Sequence, residues 1–150
     1  YGHNPAALAA LGQAVNALEP RYTVMALTLP GDRRDGDWSE SVLATLSYVD
    51  EYVLYEPEDR RGRAPGETCA RIRDELPPNK RYQMAEGQYE AIERGLQSLK
   101  GGDRLVVIVE HVDEALAFIQ GLAAVGEEDR HCTRPVTVEP PINPVRTRNW

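Results

Sequence analysis

The sequence predicts an α/β domain of three layers: a mostly parallel, open, Rossmann-like sheet with helices on both faces. Three observations predict it. Helix-period segments alternate strictly with short strand-like runs, the loops joining them are short, and the best strands are apolar runs suited to burial on both faces. At 150 residues the chain can bury one core but not comfortably two. One α/β domain over residues 1–125 is therefore expected, followed by an extended proline-rich tail over 126–150.

Each element has its own warrant. Residues 5–18 form the first predicted helix, with Leu8, Leu11, Val15 and Leu18 at helical spacing. Asn4 is a capping residue type and Pro5 suits a first helical turn. Residues 22–29 (YTVMALTL) are β-rich and lack helical period, so they read as a strand. A helix over 38–48 carries Trp38, Val42 and Leu46 on one face. Residues 51–56 (EYVLYE) are strand-like, and a helix over 66–76 buries Cys69, Ile72 and Leu76. Residues 81–85 (RYQMA) make a weaker strand, and the helix after it carries Tyr89, Ile92, Leu96 and Leu99. Residues 105–109 (LVVIV) are the clearest strand, followed by a helix with Val112, Ala115, Leu116, Ile119 and Leu122. After Gly126 the pattern fails amid four prolines, leaving room for one edge strand at 136–138.

Composition narrows the function classes. Seventeen Lys and Arg against 24 Asp and Glu give a net charge of −7, the wrong sign for a protein that holds nucleic acid on a basic face. Small molecules or protein are the expected partners. No run approaches the ~18 apolar residues of a membrane span, and no charged-then-apolar leader is present. Cys69 and Cys132 are far apart and lack metal-ligand spacing, so no metal site is expected and a reducing, cytoplasmic setting is. A start on a motif without Met suggests a piece of something larger.

In open parallel sheets the ligand crevice lies at the carboxyl ends of the strands. The loops before the predicted strands (EPR, VD, PPNK, KGGD) are ordinary turn material. Those after them read PGDRRDGD, PEDRRGRAPGE, EG and EHVDE, so charge concentrates on one edge. In the first, Gly31 lets backbone approach a ligand, and Asp32, Arg33, Arg34 and Asp35 offer mixed charge ahead of a helix. Arginine there can clamp phosphate or carboxylate through paired hydrogen bonds; equally, the charges can pair locally in a solvated loop. In the second, Asp59, Arg60, Arg61, Gly62, Arg63 and Glu67 suit a zwitterionic ligand, or else a soluble loop. His3 and His111 are open between a structural and a functional role, and His131 reads as solvated. Neither GxxxxGK[ST] nor GxGxxG nor a Ser-His-Asp set is found, which argues against a complete ATPase or dehydrogenase.

Taken in order, YGHNP at 1–5, GDRRD at 31–35 and DRRGRAPGE at 59–67 resemble the C-terminal domain of the Mur ligase family, and within it the cyanophycin synthetase type. The family opens this domain on Asp-Tyr-(Ala or Gly)-His-x-Pro, of which Tyr1 to Pro5 is all but the Asp. It carries Gly-Asp-Arg-Asp after the first strand. Its Gly-Lys-Gly-His-Glu string is not matched; Glu110-His111-Val112-Asp113-Glu114 stands there instead. The resemblance implies the last domain of a three-domain, ATP-dependent amide ligase whose central domain would hold ATP and Mg²⁺ and phosphorylate a carboxylate. An amine would then attack the acyl phosphate, joining arginine or a β-aspartyl-arginine unit to a polyaspartate chain.

By the same resemblance, Tyr1, His3 and Asn4 would lie near the nucleotide, and Asp32 and Arg33 would face phosphates or incoming substrate. Asp59, Arg60, Arg61, Arg63 and Glu67 would orient the amino acid or polymer end. The preceding ligase domains are the implied partners, a homo-oligomer stays open, and the fragment alone is expected to be inactive. The alternatives are another Mur-type ligase, of the peptidoglycan-precursor or folylpolyglutamate type, or a non-catalytic α/β module binding an anionic metabolite.

Overall fold

The structure, a computed structural model, describes residues 4–131, with side chains described through residue 124. Helix α1 (Pro5–Ala17) starts where local chemistry dictates: the Asn4 side chain accepts a hydrogen bond from the Ala7 amide at 2.9 Å, and proline occupies the first turn. Next come β1 (Thr23–Leu27), α2 (Asp35–Thr45), β2 (Glu51–Tyr55), α3 (Glu67–Glu75), β3 (Arg81–Ala85), α4 (Gln88–Ser98), β4 (Arg104–Val107) and α5 (Val112–His131). The strict alternation expected from the sequence is present throughout.

Several boundaries differ, α2 ending at Thr45 rather than 48 among them, and two of the differences have identifiable reasons. Helix α2 begins at Asp35, ahead of the predicted 38, because Asp35 and Asp37 fill its first turn, where carboxylates suit the exposed N–H groups. Helix α5 runs on to His131, past the loss of apolar period at Gly126, through Glu127, Glu128 and Arg130, which favour helix despite their charge. The expected strand at 136–138 and the motif residues Tyr1 and His3 lie outside the described residues.

The four strands run in the order β3-β2-β1-β4, every neighbouring pair parallel. Strands β1 and β2, at the centre, are buried along their whole length. Alternation along them sorts the core into two halves. Met25, Leu27, Tyr52 and Leu54 pack with Leu8, Val15, Trp38, Val42 and Ile72 from α1, α2 and α3. Val24, Ala26, Val53 and Tyr55 pack on the opposite face with Ala85 and Ala91, under α4. Helix α4 crosses all four strands and α5 packs on α4. Each fully buried large side chain here contributes about 1.5–3 kcal/mol of hydrophobic stabilisation.

Helix α1 meets the turn after α2 at a glycine. A Cβ on Gly12 would stand 2.4 Å from a carbon of the Tyr48 ring, so only glycine admits that ring, whose hydroxyl donates to the Leu8 carbonyl at 2.8 Å. Among the described residues, no helix is long and apolar enough to cross a membrane.

The chain steps outward from β1 to β2 to β3, then returns across the sheet to lay β4 on the other side of β1. The connections after β1 and β4 therefore leave in opposite directions and open a crevice at the carboxyl edge.

Candidate functional site at the carboxyl edge of the sheet

The loops after β1 and β2 are locked to each other. Arg63 Nε donates to the Gly31 carbonyl at 2.7 Å, and its Nη1 donates to Glu67 Oε1 at 2.8 Å. The same guanidinium lies 6.0 Å from the centre of the Trp38 ring, a cation–π distance. A Cβ on Gly31 would come within 2.3 Å of the Arg60 carbonyl oxygen, so backbone passes backbone with no room for a side chain. Glu67 also accepts from the Ala64 amide at 3.1 Å; that bond first, then Arg63, holds its carboxyl below the usual range. Glu67 and Arg63 thus fix the shape of the second loop and its attachment to the first.

Arg61 has a different setting. Its backbone is left-handed, with φ at 48°, a conformation costly for a residue with a Cβ. The Asp59 side chain accepts from its amide at 2.9 Å and supports the turn. The guanidinium donates to Asp32 Oδ2 at 2.6 Å, with both side chains about half exposed (47% and 51%). Hydrogen bonding to Arg61 lowers the Asp32 pKa, so this carboxyl is ionised throughout the neutral range.

Two cavities lie along this edge. One, of about 190 Å³, is lined by Thr28, Arg33, Arg61, Pro57 and Glu110. Arg33 makes no ion pair with another described side chain, so the cavity presents an uncommitted cation beside the half-committed Arg61. The other, of about 340 Å³, opens between the ends of β2, β3 and β4 and is lined by Glu56, Glu58, Glu86, Glu110, Glu114 and Arg60, with His111 and Tyr89. Five carboxylates there face one arginine. Pro57 and Glu110 line both cavities, so a positive chamber and a negative chamber share a wall.

The negative chamber is organised by hydrogen bonds. Glu110 Oε2 accepts from the Glu58 amide at 2.8 Å, and the Tyr89 hydroxyl donates to Glu114 at 3.0 Å. His111 Nε2 stands 3.6 Å from Glu58 Oε2. Glu56 Oε1 accepts from the Cys69 amide at 3.0 Å in the first turn of α3. Its Oε2 is buried without a hydrogen bond among the described residues; Arg60 Nε, at 3.8 Å, is within ion-pair range only. Beneath the chamber the Tyr55 hydroxyl donates to the Ile108 carbonyl and ties β2 to the chain leaving β4.

Of the residues singled out in the sequence, Asp32, Arg33, Asp59, Arg60, Arg61, Arg63 and Glu67 meet at this one edge. Asn4 stands apart as the cap of α1. The acidic wall was not among them, although EG and EHVDE had already marked where Glu86, Glu110 and Glu114 would fall; what was missing was the pairing of β3 and β4 with opposite sides of the sheet. Thr28 carried no signal at all, being one more β-branched residue in an apolar run. Among the described residues, no group of three or more His, Cys, Asp and Glu side chains is arranged to hold a metal ion.

A four-stranded parallel sheet with helices on both faces and charge-sorted loops at its carboxyl edge defines an open α/β domain. The family model for the Mur ligase, glutamate ligase domain, matches residues 1–111, and the chain belongs to that family of ligases. Cyanophycin synthetase of Trichormus variabilis (strain ATCC 29413 / PCC 7937) is 29% identical over 141 residues, covering 92% of this chain and 16% of the relative. That of Crocosphaera subtropica (strain ATCC 51142 / BH68) is 36% identical over 123 residues, covering 79% of this chain and 14% of the relative. The chain thus spans about a sixth of the length of such relatives. In fold it is similar to a UDP-N-acetylmuramoyl-L-alanyl-D-glutamate–2,6-diaminopimelate ligase (TM-score 0.64, 20% identity, 82% of this chain and 28% of that one). It is also similar to Mycobacterium tuberculosis folylpolyglutamate synthase complexed with ADP (TM-score 0.62, 23% identity, 80% of this chain and 28% of that one).

Proposed function

We propose that this chain is the substrate-binding and closure domain of an ATP-dependent amide ligase of the cyanophycin synthetase type, positioning an amino acid with a cationic side chain for attack on an activated carboxylate. One observation carries the reading: two adjoining chambers of opposite charge at the carboxyl edge of the sheet, with Pro57 and Glu110 in the wall between them. A molecule bearing a carboxylate at one end and a guanidinium at the other, such as arginine or a β-aspartyl-arginine unit, matches that order of charges. A neutral or wholly anionic ligand leaves one chamber uncompensated, which is unfavourable in a partly desolvated cleft.

In this reading Arg33 faces the reacting end, where a guanidinium stabilises negative charge that develops during acyl transfer. Asp32 sets the direction of Arg61. Asp59 and the pair Arg63 and Glu67 hold the loop that carries Arg60 and Arg61 to the substrate. Tyr1, His3 and Asn4 would approach the nucleotide from the start of α1. ATP and Mg²⁺ would be held mainly by other domains of the enzyme, and docking against those domains would turn a bimolecular attack into a positioned one.

The reaction itself is the test. The protein that carries this chain is supplied with ATP, an aspartate-bearing acceptor peptide and either arginine or citrulline, which keeps the shape and removes the charge. Amide formation with arginine, and at least ten-fold poorer kcat/KM with citrulline, is expected. Equal use of both would remove the acidic chamber from the mechanism, and no ATP-dependent amide with either would sink the ligase reading.

A further inference from the structure

Thr28 is 1% exposed, and its hydroxyl has no hydrogen-bond partner among the described residues. The residue lies one position past the end of β1, where the sheet ladder has stopped, and it lines the positive chamber with Arg33 and Arg61. A buried threonine ordinarily meets its hydroxyl's demand on a nearby carbonyl; Thr45, in this same chain, donates to the Val42 carbonyl at 2.7 Å. Leaving the group unpaired lowers stability, so the site favours a partner that the described residues do not supply. Four buried side-chain polar atoms lack a hydrogen-bond partner among the described residues, on Thr28, Trp38, Glu56 and Thr68; of these residues, Thr28 alone lines the chamber that holds two arginines.

We propose that Thr28, with Arg33 and Arg61, forms an oxyanion subsite that takes a carboxylate or phosphoryl oxygen of the substrate. The inference rests on reading this edge as the substrate cleft. In this subsite the buried Thr28 hydroxyl would supply one directed donor, and the two guanidinium groups would supply charge. Asp32 engages Nη1 of Arg61 and Asp59 Oδ2 stands 3.9 Å from its Nε, which leaves Nη2 for a ligand. Glu110 also lines the chamber, and its Oε2 accepts from the Glu58 amide at 2.8 Å.

The experiment uses the 150-residue chain, labelled with ¹³C at threonine methyl groups and titrated separately with inorganic phosphate and with acetate. A saturable shift of the Thr28 methyl signal is expected with at least one anion, and the stronger of the two shows whether phosphoryl or carboxylate oxygen is the better fit. Thr28→Val keeps the shape and removes the donor. It is expected to bind that anion at least five-fold more weakly while melting no lower than the parent, and Thr28→Ser to bind within two-fold of it. Unchanged affinity in Thr28→Val, or no saturable binding of either anion to the parent, would overturn the proposal. Binding needs no turnover: Thr28-dependent binding without amide formation would remove the ligase reading and leave the subsite. Amide formation with an unaltered KM in Thr28→Val would do the reverse.

Discussion

Arg33, Arg61 and Arg63 are three arginines at one edge with three different attachments, and their substitutions should separate. Arg33→Ala, which breaks no ion pair among the described residues, is expected to lower kcat with little change in melting temperature. Arg61→Ala should raise KM for the amino acid several-fold. Arg61→Gly should match that KM yet melt higher than Arg61→Ala, because glycine accepts the left-handed backbone at this position. Steady-state kinetics and thermal melts of the three variants check this; if Arg33→Ala leaves kcat intact, the residue has no part in the reaction. Cys69 offers a cleaner local test. Burial first, and then the neighbouring Glu56, push its thiol up to about 12, so iodoacetamide at pH 8 should leave Cys69 unmodified until denaturant is added, as read by peptide mass spectrometry. These distinctions were only partly legible in the sequence. All three arginines sit in charged loops after strands and look alike there. What makes Arg63 a brace is a carbonyl 32 residues away, and no local pattern encodes that contact.

Among elements, the decisive pair is the loop after β1 and the loop after β2. Gly31→Ala places a methyl group against the Arg60 carbonyl, and a backbone neighbour cannot step aside as a side chain can. The substitution should cost about 1–3 kcal/mol in urea unfolding and also abolish Arg61-dependent substrate binding, since the loops would part. Loss of stability with intact binding would show that the interlock is only mechanical. At this scale the sequence was most informative for strands. The apolar runs placed β1, β2 and β4, and β3 appeared at 81–85 despite its polar surface. Helix starts were harder, because Asp35 and Gly36 read as loop chemistry until the dipole of α2 gave the carboxylates a reason to be inside it.

For the molecule as a whole, stability should fail on the alkaline side in a definable window. Burial pushes the phenols of Tyr48 and Tyr52 up to about 12 from an ordinary value of 10.0. A raised folded value means that both contribute fully below pH 10, and that the contribution is lost as pH climbs from 10 toward 12, where the unfolded chain ionises and the folded one resists. Melting temperature measured from pH 8 to 12 should fall beyond about pH 10, less steeply in Tyr52→Phe; a flat profile to pH 11.5 would mean that these rings admit water. The domain is also expected to fold alone and hydrolyse no ATP, and robust hydrolysis by it would contradict the division of labour proposed above. Fold class was legible because alternation and burial are whole-chain properties. The pairing of opposite charges across the cleft was not, because it depends on β4 crossing back beside β1. The contact between Gly31 and the Arg60 carbonyl has one more consequence, for engineering by recombination. A loop transplanted from a relative to alter substrate choice brings its own backbone path, and the partner loop of this chain has no slack to receive it. Productive chimeras should be those that exchange residues 28–34 and 56–67 together, as one cassette.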